Sequence, residues 1–420
     1  VTITDRQIQF GNTILGPIFY QYCCNLWLSI SVIDDKNACL LFLARGGLRL
    51  KYLFQRFLVN QKLEVSNPLH DFLVSRISVI RAVFLHNPHI VLKYMDYELG
   101  HMRLIDLILL LLLPEPAVDN RRMFENDYGM DFLKRKCSYS NIAKLLQAGH
   151  SSTQILVDFL SEQGRLFRNY LDRITGGSHK IIVCDTGLYG SSQAMLQDAF
   201  PQREWRGLYF AKSNYKRIKD EHANNVLGLI LDFDYFSPFK PETCILKHWH
   251  LIEAAMEIQT PSVTHYIESD SCGVMTNLPR NWEAHVAARD NPLFCGIMDY
   301  FTARANAKAD FMEIKQEYIK AMRTLGRMIA FPSRDDVTIL NVPARSKDMG
   351  SDREFKQVLY TERGNSTAGN YAILKRSLWK EGQIKILYPF AANLLNFMLF
   401  LLYASRAVVR YMKTIINRLP

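Results

Sequence analysis

The chain has 420 residues, 48% hydrophobic, 12% aromatic and 22% charged, with a formal net charge of +10. This composition supports a large buried core and, by length, two or three domains; it excludes a disordered chain, a disulfide miniprotein and a polytopic membrane protein. The charge is uneven: Tyr371 to Pro420 carries eight basic residues and one acid, a net +7, which leaves +3 on the other 370 residues. A near-neutral body with a cationic tail argues against nucleic acid held along a whole face.

Gly16-Pro17 starts a helix-like apolar stretch over Ile18 to Ile33. The continuous apolar run Ala38 to Leu43 predicts a buried strand that breaks at Arg45-Gly46-Gly47, and Leu48 to Leu58 recovers a helical period with basic residues outside. Strand, glycine turn and helix make the elementary α/β unit. Asp71 to Ser75 predicts a second strand and Arg76 to Leu85 the helix after it. From Pro88 to Tyr170 the pattern is helical and charged, interrupted at Pro114 and Pro116; the run Ile105 to Leu113 is too short to span a bilayer and is expected in the core. Lys180 to Cys184 predicts a buried strand, Asp185 to Ser192 a turn, Gln193 to Phe200 a helix, and Trp205 to Phe210 and Leu227 to Phe233 two further strands. Beyond Trp249 the pattern is mainly helical, with a polar, loop-rich stretch from Pro332 to Gly369. The fold class expected is α/β, a parallel-sheet core with a helical insertion and a largely helical C-terminal region. The boundaries place the core in 1–86 and 176–260, the insertion in 87–175, the C-terminal region in 261–382 and a hydrophobic, basic tail in 383–420.

Between Lys385 and Arg406 lie twenty uncharged residues, enough to cross a bilayer core of roughly 30 Å. Pro389, Asn393 and Asn396 weaken the first half as a span, and the basic flank suits anionic headgroups. An interfacial anchor is at least as good a reading as a span, with a core helix followed by a surface helix as the alternative. The eight cysteines (Cys23, Cys24, Cys39, Cys137, Cys184, Cys244, Cys272 and Cys295) form no CxxC pair and no zinc spacing, as expected of buried thiols in a reducing compartment. With no signal-peptide pattern at the start, the expected location is the cytoplasm, at the inner face of the cytoplasmic membrane. Because the sequence opens on Val1, upstream residues are not excluded.

Two loops follow predicted strands, at the strand ends where open α/β sheets bind ligands. In Ile181 to Leu196 a strand ends in Asp185, a loop with Gly187 and Gly190 follows, and Ser191 and Ser192 open a helix. Backbone N–H groups of such a loop, backed by a helix N-terminus, cradle an anion. Asp185 suits the hydroxyls of a sugar beside that anion; the Walker lysine is absent, so a sugar phosphate fits better than a nucleoside triphosphate. In the other loop Arg45 offers a planar donor fork for phosphate, with exposed amides at Gly46 and Gly47.

These residues resemble the phosphoribosyltransferases of type I fold. Cys184-Asp185-Thr186-Gly187-Leu188-Tyr189-Gly190-Ser191-Ser192 looks like that family's signature for 5-phosphoribosyl diphosphate, with Cys184 in place of the first acid and Tyr189 in place of a Thr. Ala44-Arg45-Gly46-Gly47-Leu48 looks like its pyrophosphate loop, 140 positions before Asp185, a gap that accommodates the insertion. The Gly16-Pro17 opening and Val74-Ser75-Arg76 are similar to phosphoribosyltransferase-like proteins of bacterial polysaccharide clusters, such as those of capsule and O-antigen. The resemblance implies transfer of 5-phosphoribose to a sugar hydroxyl of a glycan, lipid-linked in keeping with the tail, with inversion to a β-ribofuranoside. A separate phosphatase would then remove the 5-phosphate. It also implies the 5-phosphate on Thr186, Gly187, Leu188, Tyr189, Gly190, Ser191 and Ser192, the ribose hydroxyls on Asp185, and the diphosphate on Arg45, Gly46 and Gly47. Mg²⁺ would be held mainly by the substrate diphosphate.

Further candidates are weaker. Arg76 is balanced between a diphosphate contact and a surface arginine at a helix start. Glu253 and Glu257, one helical turn apart, offer a general base for the acceptor hydroxyl against a solvated helix face. His248 and His250 share a face if that segment is a strand, but with no third ligand evident, partly buried histidines explain them better. Asp232-x-Asp234 after a strand looks like the first motif of haloacid-dehalogenase-type phosphatases, without the Gly-Thr that usually follows. That sugar-phosphate phosphatase, and a non-catalytic sugar-phosphate-binding scaffold, are the alternatives to a transferase.

Overall fold

Five parallel strands, β1 (Ala38–Leu43), β2 (Leu69–Phe72), β3 (Lys180–Asp185), β4 (Glu204–Lys212) and β5 (Val226–Asp232), pair in the order β2-β1-β3-β4-β5. A computed structural model describes every residue except 1, 34, 100–101, 113–116, 215–220, 270–272, 306–309, 344, 347–354, 363 and 417–420. Pro114, Pro116 and Cys272 therefore lie outside the described residues.

The central strands are apolar along their middles because both faces are covered there, as in parallel sheets generally. All six residues of β1 are buried. Leu40 and Phe42, with Ile182 and Cys184 of β3 and Leu208 and Phe210 of β4, enter one core; Cys39, Leu41, Ile181, Val183 and Tyr209 enter the other. This period-2 division makes a three-layer sandwich. The first core is closed by helices Gly16–Ile33, Gly46–Gln61, Pro292–Ala303 and Phe311–Ala330, the second by Arg76–Val83, the long helix Ser151–Thr175 and Ser191–Ala199.

The region 261–382 is largely helical, as expected, and its helices pack into the same core as the N-terminal helix. It also contains an antiparallel hairpin, β6 (Tyr266–Ser269) and β7 (Gly273–Thr276). The hairpin is held against the long helix by reciprocal bonds: Gln163 Nε2 donates to the Tyr266 carbonyl at 3.0 Å, and Tyr266 N donates to Gln163 Oε1 at 2.8 Å. Within the stretch read as loop-rich, Arg334–Leu340 is helical because Ser333 and Asp336 form a capping box and Arg327 Nη1 pairs with Asp336 at 2.7 Å. The expected core run is the helix Leu104–Leu111, with Ile105, Leu107 and Ile108 buried.

Arg49 fastens this later part of the chain to the sheet. Its guanidinium is fully buried, lies 4.0 Å from the Phe294 ring centroid, donates to the carbonyls of Ala255 (3.3 Å) and Glu257 (3.1 Å), and pairs with Asp290 at 2.9 Å. Removing one partner of a buried, hydrogen-bonded pair strands the others without solvent. Arg49→Met is therefore expected to lower the unfolding free energy by about 3 kcal/mol, measured as a reduced urea midpoint. A midpoint unchanged from the parent would show that the buried guanidinium contributes no net stability.

Candidate functional site

Strand order locates the cleft. From β1 the chain steps to β2 on one side and returns through the insertion to β3 on the other, so the order switches between β1 and β3. The helix after β1 packs into the first core and the helix after β3 into the second. In open α/β sheets connections that diverge in this way leave a crevice at the strand ends, the usual ligand position. Arg45-Gly46-Gly47 and Asp185 to Ser192 are the loops on either side of it.

The loops touch. A Cβ on Gly46 would lie 2.9 Å from Thr186 Cγ2, so glycine is what lets the β1 turn approach the β3 loop. Gly187 has φ +114° and lies so close to β4 that a Cβ would reach within 1.9 Å of the Ala211 carbonyl oxygen. The bonds Ala44–Arg45 and Gly187–Leu188 are both cis. Gly190, in the left-handed conformation, starts the helix Ser191–Ala199, and no side chain caps it. First-turn N–H groups of that helix have no intrahelical acceptor, so they are available to an anion.

Asp185 ends β3, half-buried at the floor of the crevice. Burial pushes its carboxyl up to about 7, opposed by the backbone N–H groups of Thr186 and Gly187 and assisted by the negative charge of Glu253. Thr186 N donates to Asp185 Oδ1 at 2.7 Å. Glu253 projects from the helix Trp249–Met256, where it accepts from Trp249 Nε1 at 2.9 Å and pairs with His250 Nδ1 at 3.1 Å. Arg45 is held at the edge of the site by Glu257, Nη2 to Oε1 3.1 Å, with both side chains partly exposed.

Arg45, Gly46, Gly47, Thr186, Gly187, Gly190, Ser191 and Ser192 thus belong to the two facing loops, and Glu253 stands near Asp185. Ser191 is buried at the helix start and Ser192 half-buried beside it. Arg76 opens the helix after β2, one strand beyond β1, so it reaches the crevice only from the side. The side chains of Leu188 and Tyr189 turn away from the loop face. Leu188 packs on the first core and Tyr189 is buried in the second, which leaves only their backbones to face a ligand. Cys184 points into the first core, and burial raises its thiol pKa, so it does not take the place of a second acid. His248 and His250 share no strand face. His248 precedes the helix Trp249–Met256, stacked 4.9 Å from Trp379 and kept neutral by burial, with its pKa lowered to about 4. Asp232 and Asp234 stand at the end of the edge strand, two strands from the crevice floor; Asp232 faces Lys212 at 3.6 Å and Asp234 accepts from Asn214 N at 2.8 Å.

His222 was missed by sequence reasoning. It is buried behind the β3 loop, where Nε2 donates to the Tyr189 carbonyl at 3.1 Å and Nδ1 lies 3.4 Å from the Tyr94 hydroxyl. A lone histidine 33 positions downstream gives no local signal of this contact. The chain matches no family model and no curated protein.

The raised Asp185 pKa has a signed consequence. The unfolded chain ionises this carboxyl near 3.8, whereas the folded chain holds the proton until about 7, so folding becomes less favourable as pH rises through that window. Asp185→Asn is expected to raise the unfolding free energy by on the order of 2–4 kcal/mol above pH 7, with the gain falling away toward pH 4. Urea titrations of both proteins across that range check it; a pH-independent difference would remove the shifted carboxyl.

Proposed function

We propose that the chain is a phosphoribosyltransferase that moves 5-phosphoribose from 5-phosphoribosyl diphosphate to a sugar hydroxyl of a bacterial surface-polysaccharide intermediate. Its main support is the meeting of two amide-rich loops at the switch point, with an arginine on one and a carboxyl at the root of the other. In this reading the 5-phosphate rests on the amides of Gly187 to Ser192, with hydroxyl donors from Ser191 and Ser192. Asp185 accepts from the ribose hydroxyls, and Arg45 with the Gly46 and Gly47 amides receives the diphosphate.

Mg²⁺ suits these residues as a substrate-borne ion. Among the described residues no group of three or more His, Cys, Asp or Glu could hold a metal by itself, whereas Asp185 and Glu253 place two carboxylates by the cleft. Magnesium is commonly held by one or two carboxylates plus substrate phosphates. Asp185 would hold it beside the diphosphate, and its charge would stabilise the leaving group.

The chain's own groups supply positioning and electrostatics. The bond from ribose C1 to the diphosphate oxygen breaks, and both electrons leave with diphosphate toward Arg45. The acceptor oxygen bonds to C1 from the opposite face, giving the β-ribofuranoside by inversion. Its proton passes to Glu253, which Trp249 and His250 orient. The product retains the 5-phosphate, which a separate phosphatase would remove.

Calorimetric titration of the donor, with and without Mg²⁺, tests this. Metal-dependent binding is expected, lost in Asp185→Ala and weakened by roughly tenfold or more in Arg45→Ala. Because ribose hydroxyls bond best to the ionised form, binding to the parent should release a proton near pH 7 and tighten from pH 6 to 8; Asp185→Asn should lack this component. Silence of the folded protein toward both the donor and ribose 5-phosphate would overturn the assignment.

Glu257 competes for the same arginine. A partly exposed pair contributes about 1 kcal/mol, so Glu257→Gln is expected to tighten inorganic pyrophosphate binding by roughly fivefold. Weaker binding in this variant would instead make Glu257 a positioning group for Arg45.

A further inference from the structure

We infer that the C-terminal helix Ala392–Ile416 seats the protein flat on an anionic lipid surface, in the plane of the interface and without crossing it. By length and composition its segment Ala392–Met412 is long and apolar enough to span a membrane. The two faces of the helix decide between spanning and lying flat.

The inward face is already used. Asn396, Phe400, Tyr403, Ala407 and Arg410, at alternating spacings of four and three, form one stripe against the body. Asn396 and Ala407 are buried, Phe400 lies 5.6 Å from Phe331, Tyr403 lies 5.4 Å from Phe236, and Arg410 lies 4.4 Å from the Tyr235 ring. Tyr403 also covers Lys247, whose Nζ is 3.8 Å from the ring centroid and 2.8 Å from Glu381, with side chains 13% and 5% exposed. A spanning helix would leave this seat, uncovering a largely desolvated ion pair and carrying Asn396 and Arg410 into hydrocarbon.

The outward face has no protein partner among the described residues. Leu394, Phe397, Met398, Leu401, Leu402 and Val408 are each at least 43% exposed, and Phe390, just before the helix, is fully exposed. Exposed Arg406 borders this stripe, and no Asp or Glu occurs from Gly382 to Pro420. An apolar stripe bordered by Arg406 and free of acids is what an amphipathic helix presents to anionic headgroups. A second copy of the chain would bring the same cationic border with no acid on this face to pair it. Lying flat, 25 residues offer about 37 Å of contact.

The test uses the full purified chain and no activity readout, so it stands or falls apart from the donor assignment. In flotation, the protein is expected to rise with vesicles of phosphatidylcholine plus phosphatidylglycerol, more weakly with phosphatidylcholine alone, and less as salt is raised. Alkaline carbonate should release it. Phe397→Asp with Leu401→Asp should weaken vesicle binding by roughly tenfold or more without changing the melting curve, since both side chains face outward; Arg406→Glu gives an independent, milder loss. Retention through carbonate would replace the flat helix by a span. Failure to bind either vesicle, with a dimer that the double aspartate variant converts to monomer, would assign the face to a second copy and overturn the lipid proposal.

Discussion

The switch in strand order between β1 and β3 is the constraint on which the site depends. Parallel strands require crossovers, and each crossover must cover one face of the sheet. Because the helix after β1 covers one face and the helix after β3 the other, the two connections part at the sheet edge. There the loops after β1 and β3 face each other, and glycine lets them touch: a side chain at position 46 would collide with Thr186. The cleft is therefore a product of topology before it is a product of its charged residues.

Those charged residues are arranged at some cost to the folded state. Asp185 is desolvated, with Glu253 adding like charge, while the nearest cation in the opposite loop, Arg45, is engaged by Glu257. A desolvated carboxyl without a cationic partner opposes folding, and groups with such shifted pKa values cluster at functional sites. A ligand that brought an anion to Arg45 and hydroxyl donors to Asp185 would relieve both features together. That complementarity between the site and an anionic, hydroxyl-bearing ligand supports the proposed sugar phosphate over a plain anion.

Much of the sheet was legible because local pattern and burial agree. The run Ala38 to Leu43 reads as a strand and is one over the same residues, since a strand covered on both faces has no polar position to blur its limits. The two glycine-containing loops were legible as turns because glycine there serves backbone geometry, which is a local property. Contacts made across long separations were not. Arg49 reads as one of several basic residues on a helix, yet it is buried against carbonyls more than 200 positions away. His248 and His250 alternate as strand residues do, but a helix starts between them. Tyr189 sits in the loop sequence while its side chain is claimed by Tyr94 and His222 in the core. The hairpin Tyr266 to Thr276 was hidden because its strands are only four residues each and it is fixed in place by Gln163 of a distant helix.

The segment from Lys247 to Glu257 joins the two surfaces of interest. Lys247 supports Tyr403 of the C-terminal helix, Glu253 stands near Asp185, and Glu257 holds Arg45. Eleven residues of largely helical chain span about 15 Å, so the C-terminal helix and the cleft are joined through one short, mostly buried element. Arg49 anchors the far end of that element through the carbonyls of Ala255 and Glu257, and the stack of His248 on Trp379 anchors the near end. Under the proposed activity, this places the candidate base at a fixed remove from the interface where a lipid-linked acceptor would reside. The protein then needs no mobile arm to bring a membrane-held sugar to a donor bound at the switch point: the same rigid element that orients Glu253 also holds the helix that sets the cleft's height above the lipid.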